Sequence, residues 1–174
     1  MDNVQNFCEF INNHADTLTH VELFSESSSE ILNGLKNVKK IEKLNFASLD
    51  PLEALDIDVR ENVDKLFITF YPNVDLVPKF PNLTKLNVTL RQNYLKLGRY
   101  KKLTHLDVWG YTIHDLTISK STKFISFACY KFAAMPNFEH FQFEEIELFE
   151  CENVDWLAEF LAKDETRVEK LIIK

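Results

Sequence analysis

Apolar residues return along this chain in one fixed phrase, six residues long, with apolar side chains at its first, fourth and sixth places. The phrase reads LTHVEL from Leu18, IEKLNF from Ile41, VDKLFI from Val63, LTKLNV from Leu83 and LTHLDV from Leu103. It continues as a degraded TKFISF from Thr122, then FEHFQF from Phe138 and VEKLII from Val168. The starts from Leu18 to Thr122 are nearly evenly spaced, Phe138 follows too soon, and Val168 comes late. Even the polar places rhyme: the second is mostly Thr, Glu or Asp, and the third mostly Lys or His. Alternation across the fourth to sixth places is strand periodicity, and its return every twenty or so residues predicts a stack of strand-plus-connection units. The step from Thr122 to Phe138 is too short for a full unit. It predicts a distortion of the stack near Ala133 to Pro136.

The two ends of the chain carry a second pattern. Residues 2–23 and 152–173 align without a gap at an offset of 150. Val4, Phe7, Cys8 and Ile11 match Val154, Leu157, Ala158 and Leu161, an i, i+3, i+4, i+7 stripe that predicts a helix leading into a strand at each end. Asp2 and Gln5 form a capping-box variant at the first of these. A further short helix is predicted over Ser28 to Lys36, with Ile31, Leu32 and Leu35 inward. The middle units lack such stripes, so loops or 3₁₀ turns are expected there, punctuated by Pro51, Pro72, Pro78, Pro81 and Pro136.

The pattern resembles the leucine-rich-repeat family, whose signature begins L-x-x-L-x-L. The likeness runs past the strand. Leu106, Val108, Tyr111, Ile113 and Leu116 follow the L-x-L-x-x-N-x-I-x-x-L frame with Tyr in the Asn place, and Ile125, Phe127, Tyr130, Phe132 and Met135 do the same. Leu66, Ile68 and Tyr71 begin it. The Asn or Cys that the family sets after the strand is missing from every copy in this alignment, leaving Tyr71, Tyr111 and Tyr130 to fill the turn or bond its backbone. The resemblance implies an α/β leucine-rich-repeat solenoid, a horseshoe with one parallel sheet of about eight strands on its concave face and helices or loops on its convex face. It implies a single domain over residues 1–174. Solenoids end in polar caps, and none follows the last phrase, so a piece of a longer protein is expected.

Side chains alternate along a strand, so the fourth and sixth places point to the core and the third, fifth and seventh to the concave face. The third places form the column His20, Lys43, Lys65, Lys85, His105, Phe124, His140 and Lys170. The fifth add Glu22, Asn45, Phe67, Asn87, Asp107 and Gln142, and the seventh Phe24, Thr69, Thr89, Trp109 and Glu144. Adjacent lysines about 5 Å apart repel by roughly 0.8 kcal/mol even in water. Three in succession therefore form either a solvated face balanced by Glu42 and Asp64 or a docking strip for an acidic surface. Phe67 and Trp109 have the character of binding anchors on an exposed sheet. The expected contact set is Lys43, Lys65, Phe67, Lys85, Asn87, His105, Asp107 and Trp109.

Composition narrows the function classes. Among 174 residues there are only 3 Gly, which leaves little material for phosphate-cradling loops. The net charge of −7 disfavours general nucleic-acid binding. Cys8, Cys129 and Cys151 make no C-x-x-C pair, and the start has no signal-peptide pattern. No apolar run approaches a membrane span, so an intracellular setting, cytoplasmic or nuclear, is expected. His20, His105 and His140 lie too many strands apart to share a metal, and Lys120, Ser121, Thr122 and Lys123 look like a polar loop. The acidic pairs Glu144–Glu145 and Glu150 with Glu152 read as a solvated rim.

No catalytic residue, metal site or cofactor is expected. The expected function is non-enzymatic, a scaffold binding a protein partner with an acidic surface on the concave face. Repeats of such irregular length are most similar to those of F-box ubiquitin-ligase receptors, which implies a substrate-reading part without its F-box. Lysines beside exposed aromatics also describe single-stranded nucleic-acid platforms, the alternative of a different class.

Overall fold

Phrases this rich in Val, Ile, Leu and Phe suit the half-buried surface of a sheet, and seven of the eight form its strands as aligned. The computed structural model of the protein describes residues 3–22, 35, 38, 43–46, 57–71, 80–90, 94–133, 141–152, 154–162 and 167–174. The chain runs α1 (Asn3–Asn13), β1 (His20–Glu22), β2 (Lys43–Phe46), α2 (Ile57–Asn62), β3 (Lys65–Tyr71) and β4 (Lys85–Leu90). It continues with β5 (Tyr94–Lys96), β6 (His105–Ile113), β7 (Asp115–Thr117), β8 (Phe124–Phe132), β9 (Gln142–Phe149), α3 (Asp155–Leu161) and β10 (Arg167–Ile173). One eight-stranded sheet has the order β1-β2-β3-β4-β6-β8-β9-β10, and every neighbouring pair is parallel. Strands that follow one another in chain order and lie side by side in one sense make a solenoid with few helices. On its far side β5 and β7 pair as a small parallel sheet that buries Leu95 and Leu116.

Four successive turns of the solenoid, from β3 to β9, repeat one hydrogen-bond unit. The amides of the second and third places both donate to the second-place carbonyl of the preceding turn. Thr84 and Lys85 donate to Asp64 O at 2.8 and 3.0 Å, and Thr104 and His105 to Thr84 O at 2.9 and 3.0 Å. Lys123 and Phe124 then use Thr104 O at 2.9 and 3.0 Å, and Glu144 and Glu145 use Lys123 O at 2.9 and 3.2 Å. Below this ladder the first, fourth and sixth places stack into the core: Val63, Leu66 and Ile68, then Leu83, Leu86 and Val88, then Leu103, Leu106 and Val108. Thr122 fills the degraded first place of its turn at 1% exposure, its hydroxyl donating to Leu103 O, so a polar residue is buried at no unmet cost. Another buried side chain sits three places before the phrase in four of the turns, Val38, Phe80, Tyr100 and Ser119, a regularity the phrase alone did not reveal.

The same ladder corrects the seventh repeat. Phe124 pairs with Glu145 and Ile125 with Ile146, so the strand phrase is FEEIEL from Phe143 rather than FEHFQF from Phe138. Moving the start to Phe143 lengthens the short step and shortens the long one, and the need for a distorted turn disappears. Both phrases have apolar residues at the required spacing, but only the second leaves enough chain for a complete turn. It buries Phe143, Ile146 and Leu148. Consequently Glu145, not His140, occupies the third-place column, Glu147 replaces Gln142 in the fifth and Phe149 replaces Glu144 in the seventh. His140 and the segment Ala134 to Pro136 lie outside the described residues.

The end helices form as their shared stripe predicts, but α3 buries a different face. Ala158 is exposed and Leu161 is 44% exposed, whereas Trp156, Leu157 and Phe160 are buried. Aromatic volume decides this: Trp156 packs on Phe127 and Phe132, and Phe160 on Phe143, with ring centroids 5.1 to 6.3 Å apart. The short helix α2 stands where a loop or 3₁₀ turn was expected. The helix predicted over Ser28 to Lys36 and the Asp2 cap fall outside the described residues, although Leu35 itself is buried. Tyr111 is 74% exposed and does not turn inward to fill the space after its strand. On β10, Leu171 and Ile173 are 38% and 61% exposed although their partners Ile146 and Leu148 are buried.

These placements set a stability contrast. Leu86→Ala or Leu106→Ala is expected to cost about 2–5 kcal/mol and Phe160→Ala about 3–5 kcal/mol through cavity formation. Leu161→Ala and Trp109→Ala, on exposed positions, are expected to cost under about 1 kcal/mol. Urea denaturation of the five variants checks both the sheet register and the buried face of α3.

Candidate functional site

The open face of the sheet is built from the third, fifth and seventh places, brought into rows by the parallel register. In the third-place row His20, Lys43, Lys65, Lys85, His105, Phe124, Glu145 and Lys170 follow one another across the strands. In the fifth, Asn45, Phe67, Asn87, Asp107, Ser126 and Glu147 do so. Thr89, Trp109, Ala128 and Phe149 form the seventh. The expected contact residues are therefore contiguous, with Lys43, Lys65, Phe67, Lys85, Asn87, His105 and Asp107 on adjacent strands and Trp109 one place along. Lys43 is placed by backbone register alone.

Asp107 is the electrostatic centre of this patch. Lys85 Nζ lies 3.6 Å from Asp107 Oδ2, and Asn87 Nδ2 approaches the same oxygen at 3.5 Å. The pair is about one-third exposed, so its contribution to stability is small. Beside it the His105 ring stacks on Phe124, centroids 4.3 Å apart and planes 11° apart. His105 Nδ1 and Thr104 Oγ1 are 2.9 Å apart, a local pairing repeated at Thr19 and His20 at 2.8 Å. Burial, and then the positive charge of Lys85, push the His105 imidazole below its ordinary value, while Asp107 and Glu144 oppose them. The ring is thus held neutral against Phe124.

Across β9 and β10 the face changes character. Glu144 stands at its edge and Glu145 and Glu147 on it, and each carboxylate is matched by a lysine. Lys123 reaches Glu144 at 2.6 Å, Lys170 reaches Glu145 at 2.8 Å and Lys174 reaches Glu147 at 2.6 Å. These carboxylates are half-buried members of the sheet rather than a solvated rim. The lysine-rich strands β2 to β4 thus lie beside a charge-balanced region.

Between the two regions opens a groove of about 830 Å³ that the sequence reading missed. Trp109 and Phe149, 49% and 37% exposed, stand two strands apart with the small Ala128 between them. Tyr111, Glu150, Cys151 and Glu152 also line the groove. The signal was present in the FEEIEL phrase, which Phe149 follows at the seventh place, but it was hidden by the equally spaced phrase that starts at Phe138.

Cys129 and Cys151 serve the turns below this groove. Cys129 Sγ donates to Lys131 O at 3.2 Å, and Cys151 Sγ shares its one proton between Phe127 O and Phe149 O, each at 3.6 Å. Burial raises the Cys129 thiol to about 11 and raises Cys151 as well, so both remain protonated donors at neutral pH. Ser119, Ser121 and Thr122 act alike: Ser119 Oγ donates to Tyr100 O, and Ser121 Oγ to Leu103 O at 2.8 Å. Among the described residues no cluster of three His, Cys, Asp or Glu could hold a metal ion, and no helix is long and apolar enough to cross a membrane.

No family model, curated protein or solved structure matches this chain.

The depressed His105 value has a thermodynamic consequence. The unfolded chain takes up the proton near pH 6.5 while the folded chain resists it, so the associated stability is present above about pH 6.5 and is lost as the pH falls below it. The drop in urea midpoint from pH 8 to pH 5 is expected to be smaller in His105→Asn than in the wild type. An equal drop would assign the titration to other groups.

Proposed function

We propose that this chain is a leucine-rich-repeat solenoid whose open sheet face, the concave face of a horseshoe, docks a protein partner without catalysing a reaction. Register supports the family reading more strongly than the alignment of phrases did. With FEEIEL as the seventh repeat, Phe143, Ile146, Leu148 and Cys151 complete the frame L-x-x-L-x-L-x-x-N/C, so one copy does carry the family's Cys. Its thiol donates to the carbonyl of Phe127 on the preceding strand, which suits a residue that ties one turn to the next.

The observation that carries the functional reading is the join of two surfaces on a rigid sheet. Lys65 and Lys85 face outward, Lys43 precedes them in backbone register, and the exposed aromatics Trp109, Tyr111 and Phe149 lie on the strands that follow. Apolar groups kept in water beside fixed charge are the composition of an interface with an anchor and a polar rim. The lysines suit an acidic segment of the partner. A nucleic-acid strand is the weaker fit, because Asp107, Glu144, Glu145 and Glu147 share the face and would oppose phosphates. The substrate-reading part of a ubiquitin-ligase receptor is one form such a module takes.

A folded Lys65→Glu, Lys85→Glu variant tests the assignment. Partners captured from lysate by the wild type and identified by mass spectrometry are expected to bind the variant at least about tenfold more weakly in direct titration. Their wild-type affinity is expected to fall with added salt. Partners bound equally by both proteins would move the working surface away from the open face.

A further inference from the structure

We infer that the groove between Trp109 and Phe149 is a receptor for an arginine side chain of the docked partner. This rests on the reading of the open face as a docking surface and specifies what enters it. The walls are two strands apart, so a group lying midway over Ala128 is about 5 Å from each ring, inside the range of roughly 6 Å in which a cation is attracted to an aromatic face. Ala128 leaves the floor open, and any larger residue there would fill the space between the rings.

Charge selects a cation over an apolar guest. Glu150 and Glu152 line the groove and are exposed. The carboxylates of Glu144, Glu145 and Glu147 are each paired with a lysine, whereas among the described residues Glu150 and Glu152 have no such partner. Glu150 is also held at φ 52, the left-handed region, with its amide donating to Lys174 O at 3.0 Å. That conformation is uncommon for a residue other than glycine. It separates Phe149, on the open face, from Cys151, whose thiol returns to the backbone, at the point where the two glutamates join the lining of the slot.

Shape selects arginine among cations. A guanidinium is flat and weakly hydrated, stacks on rings and offers paired donors to a carboxylate, whereas an ammonium is a compact, strongly hydrated point charge. The geometry also limits the partner's sequence. Lys85 lies about 16 Å from the slot, counting two strand spacings across the sheet and four residues along it, which an extended chain covers in about five residues. A segment with an acidic residue about five positions from an arginine would engage both sites.

The test titrates N-acetyl-arginine amide into the folded protein and follows the indole N–H resonance of Trp109. The chain has 2 tryptophans and the other, Trp156, is buried, so the two resonances are distinguishable. A saturable shift is expected, with the citrulline and leucine counterparts binding at least about twofold more weakly, the lower end of an exposed cation–π contact. Glu150→Gln with Glu152→Gln is expected to weaken arginine binding while leaving citrulline binding unchanged, and Ala128→Leu to abolish the shift while the fold persists by circular dichroism.

Equal binding of citrulline or leucine, an unaltered arginine response in Ala128→Leu, or no shift at about 50 mM probe would each overturn the proposal. So would a Trp109 shift that depends on protein concentration alone, which would assign the groove to a second copy. Arginine binding with unchanged partner capture by Lys65→Glu, Lys85→Glu would retain the slot and remove the docking strip. Lost partner capture without arginine binding would do the reverse.

Discussion

At each of the four junctions from β3 to β9 a single carbonyl, that of the second place, accepts two amides from the next turn, and the register of the sheet depends on that shared acceptor. From Asp64 to Thr84, Thr104 and Lys123 the arrangement repeats with donor distances between 2.8 and 3.2 Å. It pins each strand to its predecessor at one residue, and in a sheet a slip of one residue would turn every side chain to the opposite face. Because the pin holds, the fourth and sixth places of β3, β4, β6, β8 and β9 are buried and the third, fifth and seventh are presented in rows. Side chains reinforce it: the hydroxyls of Thr84 and Thr104 donate to the same carbonyls at 3.1 and 3.3 Å. The preference for Thr at the second place, first visible as a rhyme in the sequence, has this physical cause.

Such rows make collective properties out of residues far apart in the chain. Lys85 and Asp107 belong to different repeats, yet they meet at 3.6 Å because their strands are neighbours. His105 stacks on Phe124 and is kept neutral by burial and by Lys85. The same geometry gathers Trp109, Ala128 and Phe149 into one slot, where each would be an isolated surface residue in a different register. The two halves of the face are thus products of stacking: one carries the lysine row of β2 to β4, with Lys85 paired to Asp107, and the other is neutralised pair by pair at Glu144, Glu145 and Glu147.

Most of the strand pattern was legible because the core tolerates little variation. Places that must be buried in every turn can hold only apolar residues or a satisfied hydroxyl such as Thr122, so the periodicity survives substitution. The error at the seventh repeat arose where the chain offers two phrases, FEHFQF and FEEIEL, sharing Phe143. Local spacing cannot choose between them; the length of a complete turn and the carbonyl of Lys123 do. A step too short before Phe138 and too long after it was the visible symptom. On α3 the stripe through Val154, Leu157, Ala158 and Leu161 lost to Trp156 and Phe160, because periodicity counts apolar residues equally while packing weights them by volume.

By itself, then, the sequence determined the unit of this protein: a strand with buried fourth and sixth places, repeated along the chain, with a helix before the first and the last strand. It also determined which residues of β3, β4 and β6 face outward, since alternation within a strand is a local rule. The tertiary structure decided what those residues meet. Ion pairs between strands, the stacked His105, the protonated thiols under the turns and the slot between Trp109 and Phe149 all depend on contacts between residues of different turns. Such contacts follow from register between turns, which is set by shared carbonyls and by the length of each turn rather than by the composition of any one phrase.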